Sequence, residues 1–520
     1  MARRYSEAST NKMWRLIVCF AAHLILPIGA VSVVLSQPAM NEGDKIQDNP
    51  IVAPRESAIE GGQSDFLVWA KTSLIPISAD ALSSHGDESQ ALGQVIGNAT
   101  VVVLSEALHG AEEPLDFRNR LLQYLVAEKG FTAIAIESGI VESRTVHDYV
   151  LGGAGDLPKV MAEGFSWTFD RLPQNQALVR WLRDYNADPL RGRKINFYGF
   201  DVSGSPGDLN PHRGVQTALV EALKYISLVD PAAGAAFHAR IDSLLPSVRI
   251  ARQSTEGSDY EREYQALTKI ARDEVTAGIN SMAALLRRGK DKYTSRTTTD
   301  DYVWAYRDAI AARQVDAFLR QTPTGQTQVG DNNRFLSASQ DVRDRAQADN
   351  VDWIIKQEGR SGKVLVFAHR YHVSKAPVRL NWAAWQGQQG SFRPVLSNQQ
   401  VMGSYLRQRV GGGRLVVFGN LVGSGIASCP EPECCAGVNE SVEQAPPGSI
   451  DGLAGEVGTP SFVLDLRQAP IKVKKWLDQE HEVGRGHEVL TLPVGKAFDV
   501  LFYLDAVSPA CELPGSTHGS

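Results

Sequence analysis

The chain has 520 residues, with 53 lysines and arginines against 59 aspartates and glutamates, a formal net charge of −6 and 43% apolar residues. That length exceeds one average domain, yet an α/β core carrying a large insertion reaches it as a single catalytic unit. The near-balanced charge gives no electrostatic basis for binding nucleic acid or an anionic membrane, so the expected partner is a small molecule.

At the N-terminus Arg3, Arg4, Lys12 and Arg15 precede an uncharged apolar run from Leu16 to about Leu35. This order of charge before apolar residues is that of an export signal. Residues 1–36 are therefore expected to be a signal peptide, with small residues at Ser36 and Ala39 for cleavage, or an uncut membrane anchor, because the run is long enough to cross a bilayer. His23 and Pro27 within the run favour the signal. A periplasmic or secreted location follows. The polar, proline-bearing stretch 37–65 reads as a linker, residues 66–510 as the catalytic domain, and residues 511–520 as a tail.

From Phe66 onward, short continuous apolar runs alternate with segments of helical period. The runs are Val101–Leu104, Ala133–Ile136, Ile195–Tyr198, Val364–Phe367, Leu415–Phe418 and Val500–Tyr503. Such runs fit strands buried on both faces, which predicts an α/β fold with a largely parallel central sheet flanked by helices. Residues 112–129 place Leu115, Leu122, Leu125 and Val126 on one helical side and stop at Gly130, a good left-handed cap. Residues 174–187 carry Leu178, Trp181, Leu182 and Tyr185 in the same way. Between about 212 and 350 no strand pattern appears, while Tyr264, Leu267, Val275, Ile279, Met282 and Leu286 recur at helical spacing. That segment is expected to be a helical insertion covering the active-site end of the sheet. Four cysteines follow the signal, at Cys429, Cys434, Cys435 and Cys511; export favours disulfides over a zinc knot, in which adjacent Cys434 and Cys435 make awkward ligands.

The chemistry collects where the apolar runs end. Glu106 follows the first run, Glu137 the second, Asp201 the third and His369 the fourth. In open parallel sheets, ligands bind beyond the carboxyl ends of the strands. A single acidic residue at a strand end is as well explained by helix capping. Four ionisable ends, with His109 in the same loop as Glu106, point instead to a site. Glu106 and His109 lie three residues apart where a strand turns into a helix, so both face one cavity. An imidazole is the natural general base near neutral pH, and a neighbouring carboxylate orients it and stabilises its protonated form. Two helical turns on, Arg118 reaches back toward a carboxylate or developing negative charge. No Gly-x-Ser-x-Gly elbow is present to supply a serine nucleophile.

The string Leu104-Ser105-Glu106-Ala107-Leu108-His109-Gly110-Ala111-Glu112-Glu113, then Arg118, then Gly130 to Glu137, resembles the erythromycin esterase family. The likeness continues in Trp181-Leu182-Arg183-Asp184-Tyr185-Asn186, in Gly199-Phe200-Asp201, in Arg343-Asp344-Arg345-Ala346 with Asn350, and in Phe367 to Val373, thus over about 66–508. The resemblance implies hydrolysis of a carboxylic ester, in the named members a macrolide lactone, by direct attack of water. It matches His109 to the general base, Glu106 and Glu137 to the active-site carboxylates, Arg118 to the arginine, and His369 and His372 to the second histidine motif. It also implies a cleft between the sheet and a helical part. Ser105 stands where glycine is usual, and Arg370 where asparagine is usual between the paired histidines, which bears on substrate identity more than on reaction class.

His109 is expected to take the proton from a water held also by Glu106 or Glu137, with Arg118 or His369 steadying the oxyanion. His372 either touches substrate or closes a hydrogen bond behind His369, and Asp201 and Trp167 are candidates for substrate contact. No cofactor is required, although the same glutamates and histidines suit a divalent metal that activates the water. A non-catalytic exported binding protein on this scaffold is the reading from another class. The two His-Glu-Val triplets at His481 and His487 lack metal-protease spacing and read as a solvated turn.

Overall fold

A computed structural model describes residues 55–78, 86–167, 169–204, 216–245, 260–321, 329–381, 395–428, 439–485 and 488–510. Two units are distinguished, Met1–Gly61 and Gly62–Ser520. Of the first, only 55–61 are described, and they are helical. The export segment and all five cysteines lie outside the described residues. Among those residues no helix is long and apolar enough to cross a membrane.

The strands in chain order are β1 (Ile75–Pro76), β2 (Val101–Glu106), β3 (Ala133–Gly139), β4 (Asn196–Asp201), β5 (Val364–His369), β6 (Val378–Asn381), β7 (Val395–Gln399), β8 (Leu415–Ser428), β9 (Asn439–Val442), β10 (Ser461–Asp465), β11 (Glu480–Arg485), β12 (Glu488–Pro493) and β13 (Val500–Val507). The main sheet runs β1-β10-β13-β8-β2-β5-β3-β4, with β9 paired to β8. Its six central strands, β13 to β4, are parallel to one another, and they are the six apolar runs of the sequence. β1, β9 and β10 add antiparallel pairings at the periphery.

Both faces of the sheet are buried. Val101, Val103, Ala133, Ala135, Val364 and Val366 enter one core, while Val102, Leu104, Ile134, Ile136, Leu365 and Phe367 enter the other. Alternation of direction with uniform apolar character is what a sheet covered on both sides demands. The helix Glu112–Lys129 ends at Gly130 with φ 68°, a left-handed cap whose backbone N–H closes onto Leu125.

Between β4 and β5 the described residues form helices only, from Thr217–Val229 to the long Val329–Glu358. Leu223, Ile226, Val275, Ile279, Met282 and Leu286 pack this layer into a core of its own. Two parts differ from the expectations. The helix Arg55–Ser73 occupies part of the stretch that reads as linker, and it is anchored within the larger unit where Phe66 packs on Trp476, ring centroids 5.4 Å apart. The segment around His481 is not a solvated turn: β11 and β12 pair as a hairpin in a separate antiparallel sheet, order β11-β12-β6-β7, whose Val483, Leu490 and Leu380 are buried. His481 lies over Trp476 with its Nε2 hydrogen-bonded to the Trp476 carbonyl. His487 lies outside the described residues.

Candidate active site

The strand order β2-β5-β3-β4 brings Glu106, His369, Glu137 and Asp201 side by side at the carboxyl edge of the sheet, with Glu106 directly opposite His369 in the ladder. After Glu106 the chain leaves β2 in a loop closed by Gly110, whose φ of 75° is one that a residue with a Cβ avoids. His109 turns back so that Nδ1 lies 2.7 Å from Glu106 Oε1. Glu106 is buried and His109 is 30% exposed, so the pair joins the interior to the surface. The His109 ring packs against Phe169 and His369, with centroids 5.2 and 4.9 Å away.

A cavity of about 10 Å³ lies among Glu106, Arg118 and Glu137, walled by Phe169, Leu172 and Phe367; that is roughly the room one water molecule requires. Glu106 Oε2 is buried and has no hydrogen-bond partner among the described residues. Arg118 is almost fully buried, with its guanidinium over Phe367 and its Nε and Nη2 donating to Asn119 Oδ1. Burial lowers its pKa to about 10 against the opposing pull of Glu106 and Asp116, and it remains a cation at neutral pH.

Glu137 is held from three sides. Its Oε2 accepts the His369 backbone N–H at 2.8 Å, and its Oε1 meets Arg343 Nη2 at 2.8 Å and His372 Nε2 at 3.3 Å. Burial alone pushes this carboxyl up, but the His372 imidazolium, Arg343 and His109 more than reverse it and keep Glu137 well below the usual carboxylate range. His372 is clamped on its other side, with Nδ1 2.7 Å from Asp344 Oδ1. Burial disfavours its charge, yet Asp344 and Glu137 raise its pKa to about 10. It is thus a buried imidazolium that donates Nδ1–H to Asp344 and forms an ion pair with Glu137 through Nε2.

The sequence reasoning assigned no role to Arg343 or Asp344, which arrive on the long helix of the insertion. Arg343 grips Asp201 through Nε and Nη2, the shortest contact being 2.6 Å, and shares Nη2 with Glu137. The only signal in the chain was the Arg-Asp-Arg-Ala motif itself.

Asp201, a candidate for substrate contact in the sequence, is placed behind Arg343. It is fully buried and accepts hydrogen bonds from Arg343, Gln347 and the Val202 backbone, and it bears on the site through Arg343. Trp167 places its ring over the Arg343 guanidinium, 5.3 Å from the centroid, and takes φ 61°, a left-handed backbone that a bulky residue rarely adopts. His372 lies between Asp344 and Glu137 instead of against His369. His369 has Nε2 hydrogen-bonded to the Ala107 carbonyl at 3.1 Å and Nδ1 accepting from the Tyr371 N–H at 3.4 Å. Burial and the neighbouring His109 hold its pKa well below the usual value, so it is a neutral ring tied to backbone on both sides. That arrangement suits positioning of the Glu106 loop better than donation to an oxyanion.

Ser105 and Arg370 meet on one residue. Asn420, fully buried in β8, donates its N–H to Ser105 Oγ at 2.7 Å, accepts from the Ala107 N–H at 2.9 Å, and offers its carbonyl to Arg370 Nη1 at 3.3 Å. Arg370 also faces Asp451, at 3.7 Å. Both residues support the loop that carries Glu106 and His109 from behind. Among the described residues no three histidine, cysteine, aspartate or glutamate side chains group as metal ligands.

The erythromycin esterase family model matches residues 126–507. The chain is 26% identical over 319 residues to erythromycin esterase type II of Escherichia coli, covering 60% of this chain and 70% of that protein. It is also 26% identical over 408 residues to the type I enzyme of Escherichia coli, covering 76% and 90%. In fold it is similar to a Bacillus cereus protein, with TM-score 0.66 and 23% identity over 86% of this chain and 98% of that one. A mutant of the erythromycin esterase EreC in its open conformation aligns with TM-score 0.58 and 17% identity over 83% and 97%. The chain belongs to the erythromycin esterase family of ester hydrolases.

Proposed function

We infer that the protein hydrolyses a carboxylic ester, with a macrolide lactone as the leading candidate, by direct attack of a water that His109 deprotonates. The observation that carries this reading is the 2.7 Å His109–Glu106 pair beside a water-sized cavity lined by Glu106, Arg118 and Glu137. With Nδ1–H donated to Glu106, Nε2 is the basic nitrogen, and the carboxylate stabilises the imidazolium as it forms. The water oxygen bonds to the ester carbonyl carbon while its proton passes to His109. Arg118, desolvated and cationic, faces the negative charge that develops on the carbonyl oxygen, where a fixed donor in a dry site acts most strongly. When the tetrahedral intermediate collapses, the carbon–oxygen ester bond breaks and His109 returns the proton to the leaving alkoxide. Glu137, held ionised by His372 and Arg343, orients the water instead of exchanging its proton.

Macrolides and simple lactones incubated with the protein in ¹⁸O-water test this reading by mass spectrometry. A gain of one water is expected, with the label on the product acid from the first turnover. An unlabelled first-turnover acid would indicate attack by an enzyme carboxylate, and no hydration of any ester in a broad panel by folded protein would sink the proposal.

A further inference from the structure

The helical layer contains a second cavity that shares no lining residue with the site described above. Its volume is about 270 Å³, and it opens between the helices Arg144–Val150, Thr217–Val229 and Thr299–Leu319. Tyr225, Leu228 and Ala305 supply aromatic and apolar wall, and Asp308 supplies a carboxyl group.

Asp308 is the unusual member. It is only 3% exposed, its Oδ1 is buried, and it makes no hydrogen bond among the described residues. The other charges lining the cavity already have partners. Lys224 donates to Glu221 Oε1 at 2.5 Å. Arg144 lies 3.8 Å from Asp301 and 3.6 Å from Asp148, and Asp301 also accepts from the Thr298 backbone and hydroxyl. Tyr225 is tied through its hydroxyl to Thr297 at 2.9 Å, so its ring is fixed as wall. A buried carboxyl group without a hydrogen bond costs free energy unless something completes it. Here the neighbouring space is large enough for an organic group, and far too large for a single water to be the natural complement. The class of ligand follows from these features. A hydrogen-bond donor with positive charge satisfies Asp308, an aromatic face accommodates an alkylammonium, and the apolar wall takes its hydrocarbon part.

We propose that this cavity is a binding site for a small organic ammonium ion, whose N–H group is received by Asp308 and whose hydrocarbon body lies against Tyr225, Leu228 and Ala305. The site is independent of ester hydrolysis and stands whether or not the catalytic reading holds. Electrostatics add a signature. Burial first, with help from Glu221 and Glu142 and against Arg144 and Arg307, pushes the Asp308 carboxyl up to about 8. An ammonium ion bound at neutral pH therefore displaces the Asp308 proton into solvent.

Calorimetric titration of the full chain at pH 7 with cyclohexylammonium tests the proposal, with cyclohexanol and cyclohexanecarboxylate as neutral and anionic counterparts. Cyclohexylammonium is expected to bind, with a heat that varies with the ionisation enthalpy of the buffer because a proton is released, and the carboxylate is expected not to bind. Asp308→Asn, which keeps the shape and removes the group that ionises on binding, should weaken binding by roughly tenfold or more and abolish the proton release. Leu228→Lys provides a second check that does not disturb the fold, since Leu228 is largely exposed at the rim; an added cation there should also weaken the ammonium ion. Equal binding of cyclohexanol and cyclohexylammonium, ammonium binding unchanged by Asp308→Asn, or no binding of the ammonium ion to the folded protein would each overturn it.

Discussion

Replacement of His372 by asparagine isolates the buried cation on which the site is built. His372 lies between Asp344 at 2.7 Å and Glu137 at 3.3 Å, and its pKa is raised to about 10. Below about pH 6.5 it is protonated both in the native and in the unfolded chain, and its stabilisation is fully present. As the pH rises from about 6.5 to about 10, the unfolded chain gives up the proton while the native state keeps it, so stability falls by up to about 1.4 kcal/mol per pH unit. Removing one partner from a buried ionic group costs about 3–5 kcal/mol, because the remaining charges are left without compensation. His372→Asn should therefore be about 3–5 kcal/mol less stable than the wild type at pH 6, and the gap should narrow toward pH 10. Denaturant midpoints of both proteins at pH 6, 8 and 10 measure this directly. A gap that stays constant from pH 6 to pH 10 would show that His372 is not a cation in the native protein, and the account of how Glu137 is kept ionised would fail with it.

Arg343→Met should lower stability by about 3–5 kcal/mol, since it strands Asp201 and Glu137 together, whereas Arg343→Lys should lose less by keeping the charge without the two-pronged grip; denaturation followed by circular dichroism separates the two. Arg118→Met should reduce kcat on a hydrolysed ester by about 10²–10³ with little change in KM, because the group acts on charge present only in the transition state. A rise in KM at unchanged kcat would assign Arg118 to substrate binding instead.

The parallel core was legible in the sequence because each of its six strands is a continuous apolar run, and burial on both faces leaves such a strand no other composition. The peripheral strands were not. β1 has only two residues, and β11, with the sequence Glu-His-Glu-Val-Gly-Arg, lacks the continuous apolar signal. The four strand-end residues Glu106, Glu137, Asp201 and His369 were legible by position, because a parallel sheet gathers its carboxyl ends along one edge. Their division of labour was not. Asp201 looks the same in sequence whether it faces a ligand or an arginine, and the arginine that decides the matter is 142 residues away. Likewise nothing local shows that Ser105 and Arg370 converge on Asn420, which is brought to them by the neighbouring strand. The long polar helix Val329–Glu358 has no stripe wide enough to announce that Arg343 and Asp344 point into the site.

The central claim is that His109 makes a bound water nucleophilic. Turnover of one hydrolysed ester by His109→Asn, compared with the wild type at matched circular dichroism and melting behaviour, tests it most directly. The account predicts kcat lower by about 10²–10⁴, the usual contribution of a positioned general base. Undiminished turnover by a folded His109→Asn protein would contradict it.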